Sequence, residues 1–281
     1  LLKIFVRFAL RLFCPSLVVK NAELMKTKGP VLLVVNHPDS FLDAVIIGAL
    51  YPRNINYLAR GDVFRNPVFG FLLRQLNMLP VFRQREGKEH LHLNSNTFRQ
   101  AVDCLRNDGI VLIFIEGICL NTHELQPFKK GASRILESAH AEGIFPIVQI
   151  AGIGYSSFTA FGKGIHLAFE NMSWTTPIVE AADRVKFNAA VFEKMERLIE
   201  VPKHVGFPHG LLYYFALPLY IPVRAFAAAK TKDSVFYDSV LFALFLFTFP
   251  VYIALVVTIV LKVKLILGTV IFLLGGNRCS Q

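Results

Sequence analysis

Six short apolar runs, separated by longer segments of helical character, constrain this chain more than any other feature. They are VLLVVN (Val31 to Asn36), INYLA (Ile55 to Ala59), MLPVF (Met78 to Phe82), IVLIFI (Ile110 to Ile115), FPIVQI (Phe145 to Ile150) and IHLAFE (Ile165 to Glu170). Their length and largely apolar character are those of buried strands. Residues 40–50, 67–76, 93–106, 131–141 and 181–199 read as the helices between them. The alternation predicts an α/β fold with a mixed, largely parallel sheet covered by helices. In such a fold ligands are approached from loops at the strand ends.

The two flanks differ from this middle. Residues 1–19 are apolar except for Lys3, Arg7 and Arg11, which recur every four positions and so form one basic stripe on a helix. The expectation is an amphipathic helix in the lipid headgroup region, its cations on anionic lipid and Phe5, Phe8, Leu12 and Phe13 in the acyl boundary. A signal peptide or a helix packed on the core is the other reading, and an opening Leu1 leaves room for a longer chain. At the far end, Ser239 to Leu261 is long enough to span a bilayer, which takes about 20 apolar residues. Leu265 to Gly276 is too short to cross alone. A membrane hairpin or re-entrant pair is expected, with the loop around Lys230 and Lys232 cytoplasmic. The predicted organisation is a membrane-surface helix over 1–25, a catalytic domain over 26–205 and an apolar membrane region over 206–281.

The charge balance narrows the partners. With 30 Lys and Arg against 20 Asp and Glu, the net charge of +10 suits anionic lipid headgroups or phosphorylated substrates. Nucleic acid finds no further support, since finger-spaced Cys and His and the aromatic signature of a single-strand reader are both missing. The four cysteines (Cys14, Cys104, Cys119, Cys279) have no CxxC spacing, and the histidines form no HExxH, so no metal is expected.

One segment carries chemistry. Asn36-His37-Pro38-Asp39-Ser40-Phe41-Leu42-Asp43 lies where an apolar run ends and a helix begins. If Ser40 or Asp39 caps that helix, Asp43 is about one turn in and can point back at the imidazole. A carboxylate on one ring nitrogen fixes the tautomer and makes the other a better base, able to deprotonate an alcohol. Spacing alone leaves two readings open: that dyad, or acids that merely cap a helix beside a loop histidine.

This segment resembles the first motif of the glycerolipid acyltransferase family, which includes lysophosphatidate and glycerol-3-phosphate acyltransferases. Three further motifs follow in the family's order: Met78-Leu79-Pro80-Val81-Phe82-Arg83, an apolar run closing on arginine; Ile113-Phe114-Ile115-Glu116-Gly117, a strand ending in Glu-Gly; and Phe145-Pro146-Ile147-Val148, a strand carrying a proline. Two departures stand out. Five residues separate His37 from Asp43 where most of the family has four, as in a subset that includes some glycerol-3-phosphate acyltransferases, which keeps Asp39 as a less favoured partner. The third motif continues Ile118-Cys119-Leu120-Asn121 instead of with a polar pair such as Thr-Arg.

The resemblance implies a job for each residue. His37 takes the proton of the acceptor hydroxyl as it attacks a thioester carbonyl, while Asp43 holds the imidazole. Arg83 pairs with the acceptor phosphate, Glu116 orients the glycerol hydroxyls or Arg83, and Gly117 lets the backbone approach the ligand. The co-substrate is an acyl-CoA or acyl carrier protein thioester, with no other cofactor. The acceptor implied is lysophosphatidate, with glycerol 3-phosphate next, at the cytoplasmic face of a membrane. Two other classes compete: a non-catalytic lipid-binding membrane protein and a lipid hydrolase using His37 with water. Cys119 as an acyl-accepting thiol is the weaker idea beside a small buried residue.

Overall fold

The structure, a computed structural model, describes residues 2–82, 93–160, 162–203, 211–231 and 234–276. The chain forms two compact units, residues 1–208 and 209–281.

In the first unit the elements run α1 (Leu2–Phe13), β1 (Ser16–Lys20), β2 (Val31–Val35), α2 (Ser40–Leu50), β3 (Ile55–Arg60), α3 (Pro67–Gln75), β4 (Met78–Val81), α4 (Asn94–Arg106), β5 (Ile110–Phe114), α5 (Gly131–Ala141), β6 (Ile147–Tyr155), β7 (Gly164–Met172) and α6 (Ala181–Leu198). The seven strands make one sheet in the order β1-β7-β6-β2-β5-β3-β4. Every neighbouring pair is parallel except β6 with β7. All six apolar runs are strands. Ser16–Lys20, read with the N-terminal helix from sequence, is instead the edge strand beside β7.

Connectivity decides which helix covers which face. The crossovers through α2 and α3 step toward the β4 edge, and those through α4 and α5 step back. Right-handed crossovers therefore place α2 and α3 on one face and α4 and α5 on the other. α1 packs on α2, and α6 joins the side of α5. Leu32 and Val34 of the fully buried β2 face the α4–α6 side, in one core with Leu105, Ile135, Phe187 and Val191. By alternation Val31, Leu33 and Val35 face α2. Local chemistry sets the helix starts. Asn66 accepts the N–H groups of Val68 and Phe69 ahead of Pro67, the first residue of α3. Glu180 and Asp183 form a capping box at α6.

The N-terminal helix departs from the sequence expectation. Two cations of its basic stripe turn onto the body. Lys3 Nζ donates to the carbonyls of Tyr51 (3.0 Å) and Arg53 (3.2 Å), and Arg7 Nε donates to Ala49 (2.5 Å). These lie at and just beyond the end of α2, where carbonyls lack helical partners and the dipole favours cations. Leu10 and Phe13, the latter expected in lipid, are buried, while Ile4, Phe5 and Phe8 are exposed.

The second unit is a helical hairpin of α7 (Leu211–Thr231) and α8 (Tyr237–Gly276). Tyr252 Oη donates to the carbonyl of Phe215 at 2.9 Å, with the two rings 5.3 Å apart. Among the described residues one helical stretch, Tyr237–Leu267, is long and apolar enough to cross a membrane. Its 31 residues rise about 46 Å at 1.5 Å each, against a hydrocarbon core of roughly 30 Å. The expected separate segment from Leu265 is instead a continuation of α8, which rules out a re-entrant pair there. Lys262 and Lys264 are good helix formers and lack the Gly or Pro needed to end the helix. Lys232 lies outside the described residues.

Candidate active site

The buried β2 ends at Val35 and delivers Asn36 and His37 to the carboxyl edge of the sheet, between the ends of β5 and β6. Asn36 is buried and fastens this exit. Its amide donates to the carbonyl of Ile153 (2.9 Å) and accepts the N–H of the same residue (2.8 Å), continuing the β2–β6 ladder one step past its end. Pro38 to Ser40 then turn into α2, and Ser40 takes a left-handed φ of 52°. Such a conformation costs a non-glycine residue roughly 1–2 kcal/mol. The turn is pinned where it occurs, by the Ser40 N–H donating to Cys119 Sγ at 2.9 Å.

Asp43, fully buried, reaches back across five intervening residues. Its Oδ2 lies 2.9 Å from His37 Nδ1 and accepts the Asp39 N–H at 2.9 Å. Its Oδ1 accepts the Tyr155 hydroxyl at 2.6 Å. Burial raises the Tyr155 pKa well above the usual phenol value, with Asp43 adding to it, so Tyr155 remains a protonated donor. A carboxylate so placed is acceptor only, so Nδ1 carries the imidazole proton and Nε2 keeps its lone pair. The His37 ring stacks on Phe114, with centroids 3.9 Å apart and planes 15° from parallel. Its side chain is 20% exposed, against none for Asp43. The imidazole is thus reachable from solvent and the carboxylate beneath it is not. The expected dyad is present in the structure, and Asp39 contributes its backbone to it.

Asp39 has a different side-chain partner. Its Oδ2 lies 3.7 Å from Lys163 Nζ, and both side chains are fully buried. Lys163 enters from the turn between β6 and β7 and lies 5.7 Å from the ring centres of both Phe13 and Tyr155. Burial pushes the Asp39 carboxyl up and the Lys163 ammonium down, and each ion is the chief influence opposing the other's shift.

The Glu-Gly residues lie just after β5. Glu116 is buried, and both its oxygens are occupied by backbone. Oε2 accepts the His37 N–H at 2.9 Å and Oε1 the Gln126 N–H at 3.0 Å. It ties the histidine turn to the loop before α5. Burial raises its pKa, with those two backbone N–H groups pulling the other way. Gly117 has φ 62°, which favours glycine, and a Cβ there would press on Lys129 Cγ at 3.0 Å. Cys119 has its thiol pushed up to about 12, by burial first and by Asp43 second. It is a thiol at neutral pH, poorly suited to nucleophilic attack.

Arg83 lies outside the described residues. Just before it, Asn94 accepts the Phe82 N–H (2.8 Å) and donates to the Phe82 carbonyl (2.7 Å). Among the described residues no three His, Cys, Asp or Glu side chains converge to hold a metal. A groove of about 670 Å³ beside α6, lined in part by Phe128, Lys130, Arg184 and Phe192, contains none of the site residues. Sequence reasoning missed Asn36, Phe114, Tyr155 and Lys163 as parts of the site.

Comparison with known proteins adds a family. Residues 16–151 match the profile of the family described as Acyltransferase. The 1-acyl-sn-glycerol-3-phosphate acyltransferase of Bacillus subtilis (strain 168) is 27% identical over 140 residues, half of this chain and 63% of that protein. The enzyme of the same name from Helicobacter pylori (strain J99) is 32% identical over 126 residues, 44% of this chain and 50% of that protein. A lysophosphatidylcholine acyltransferase of Drosophila melanogaster is 30% identical over 117 residues, 41% of this chain and 20% of that protein. The chain thus spans less than two thirds of the length of each of these relatives. The crystal structure of the 1-acyl-sn-glycerophosphate acyltransferase from Thermotoga maritima aligns with a TM-score of 0.49 at 18% identity, over 70% of this chain and 79% of that one.

Proposed function

Over residues 16–151 the chain belongs to the glycerolipid acyltransferase family, and from that premise we propose that it is a membrane-bound O-acyltransferase of phospholipid synthesis. In this reading it moves a fatty acyl group from an acyl-CoA or acyl carrier protein thioester to the hydroxyl of 1-acyl-glycerol-3-phosphate (lysophosphatidate). The observation that carries it is the His37–Asp43 pair at the carboxyl end of β2, inside the matched region. His37 Nε2 accepts the hydroxyl proton as the oxygen attacks the thioester carbonyl. Asp43, held by the Tyr155 hydroxyl and the Asp39 N–H, stabilises the imidazolium that forms. The proton then leaves on the thiol, and no acyl-enzyme is needed. Binding two lipids and a thioester in register supplies much of the acceleration.

Gly117 keeps the backbone open beside the ligand, and Arg83 anchors the acceptor phosphate through a fixed guanidinium. Arg83→Ala should raise the acceptor KM at least tenfold and leave the donor KM within about twofold, since a charge-assisted pair is worth about 1.5–3 kcal/mol. Steady-state kinetics with each substrate varied in turn checks this, and equal effects on both would give Arg83 a structural role.

The Tyr237–Leu267 stretch supports an integral attachment, and in this reading the active site works at the cytoplasmic face. Glycerol 3-phosphate is the second acceptor to test, because the five-residue spacer occurs among its acyltransferases. Purified protein with labelled acyl donor, offered lysophosphatidate and glycerol 3-phosphate separately, should give phosphatidate from the first. Product from glycerol 3-phosphate alone would exchange the two acceptors. Donor loss to free fatty acid without an ester product would make the protein a hydrolase, and no turnover of either would leave a lipid-binding module.

A further inference from the structure

We propose that the outer face of α3, with the turn that precedes it, is a docking surface for an anionic lipid bilayer, separate from the α8 span. It rests on the membrane reading above and adds to it a second contact made by the catalytic unit itself. Val68, Phe69, Phe71 and Leu72 are 64, 57, 60 and 51% exposed, and Val63 and Leu76 on either side are exposed as well. A helix facing water hides such residues, and here they are exposed alongside its polar ones. That exposure is built into the local fold. Buried Gly70 faces the turn that precedes the helix, where a Cβ would lie 2.7 Å from the Phe64 carbonyl oxygen. Only glycine lets α3 fold back this close on that turn, and its bulky side chains are left outward.

The asymmetry between the two sheet faces is the second observation. On the α4–α6 side Val185 is the single exposed large apolar residue of the three helices, whereas α1, on the α3 side, adds Ile4, Phe5 and Phe8. Charge selects the occupant. From Val63 to Phe82 there is no acid, Asp62, just before this stretch, is paired with Arg60, and Arg65 and Arg74, both exposed, flank the apolar residues. Exposed apolar residues edged by cations, with the nearest acid already paired, fit a bilayer of anionic lipid, acyl chains against the phenyl rings and headgroups against the guanidinium groups.

The test uses full-length protein in vesicles of phosphatidylcholine and phosphatidylglycerol, with or without bromine on the acyl chains. Trp174 is the sole native tryptophan, so Trp174→Phe with either Phe71→Trp or Val185→Trp gives one reporter on each face. Brominated lipid should quench the Phe71→Trp emission at least twofold and leave the Val185→Trp emission within a few per cent. Equal quenching of the two, or none at Phe71→Trp, overturns the proposal. So does a self-associated species that Phe69→Ser with Phe71→Ser abolishes while Phe71→Trp stays unquenched, which would give the face to a second copy. No turnover is read, so the outcome stands apart from whether His37 transfers acyl groups.

Discussion

His37→Ala should reduce acyl transfer by roughly a thousandfold or more, to the rate of donor hydrolysis in buffer, the scale expected when a positioned base is removed. Folding should survive, because the ring is at the carboxyl edge of the sheet, is partly exposed and stacks against Phe114. The neighbouring acids separate the roles further. Asp43→Asn keeps the shape but swaps an acceptor for an amide donor at a carboxylate that now receives the Asp39 N–H, the Tyr155 hydroxyl and His37 Nδ1. At least one of those donors then faces another donor, so a loss on the order of tenfold to a thousandfold should come with a lower melting temperature. Asp39→Asn leaves the Nδ1 partner in place and should cost less turnover than Asp43→Asn. Thiol release from the donor, followed continuously at saturating acceptor, gives all three rates. Near-normal turnover in His37→Ala would take His37 out of the mechanism, and a larger loss for Asp39→Asn would reassign the dyad.

How far these residues could be read beforehand follows from the range over which each interaction acts. The central strands are buried on both faces, so Val31–Val35 and Ile110–Phe114 are unbroken apolar runs that no other element explains. Ser16–Lys20 is a half-exposed edge strand of five residues next to an amphipathic helix, and its pattern merges with that helix. The dyad is local, six positions apart, and the turn chemistry around it is visible in the motif. Tyr155 and Lys163 are more than a hundred positions from their partners and arrive only because β6 lies beside β2. Their one trace in the sequence is a polar tip at the end of a long apolar strand and a lysine just before the next. Glu116 shows the opposite limit. The family motif marks it as part of the site, but nothing in Glu-Gly says that both oxygens are taken by N–H groups of the loops they brace.

Lys163→Met should be the most damaging single change to stability near the site, costing about 3–5 kcal/mol at neutral pH, because it removes one partner of a buried ion pair and leaves Asp39 either charged and unpaired or obliged to take up a proton on folding. The volume is kept, so packing against Phe13 and Tyr155 changes little and the loss reports charge. Its pH dependence has a definite sign. Burial already holds the Asp39 carboxyl above its usual value, and Lys163 is the chief influence pulling it down. Without that cation the folded pKa rises further above the unfolded value of about 3.9. The folded variant then binds this proton more tightly than the unfolded chain, so its stability falls as the pH climbs through that window. The deficit against wild type should therefore be small near pH 4 and large at pH 7. Adding Asp39→Asn to Lys163→Met removes the second charge and should recover at least half of the loss at pH 7, while changing little at pH 4. Thermal unfolding in detergent, followed by Trp174 emission at both pH values, measures all three proteins. A Lys163→Met deficit independent of pH, or a double variant no more stable than the single one at pH 7, would mean that the lysine contributes through its hydrocarbon stem alone. Asp39 would then hold the histidine turn only through the N–H it gives to Asp43.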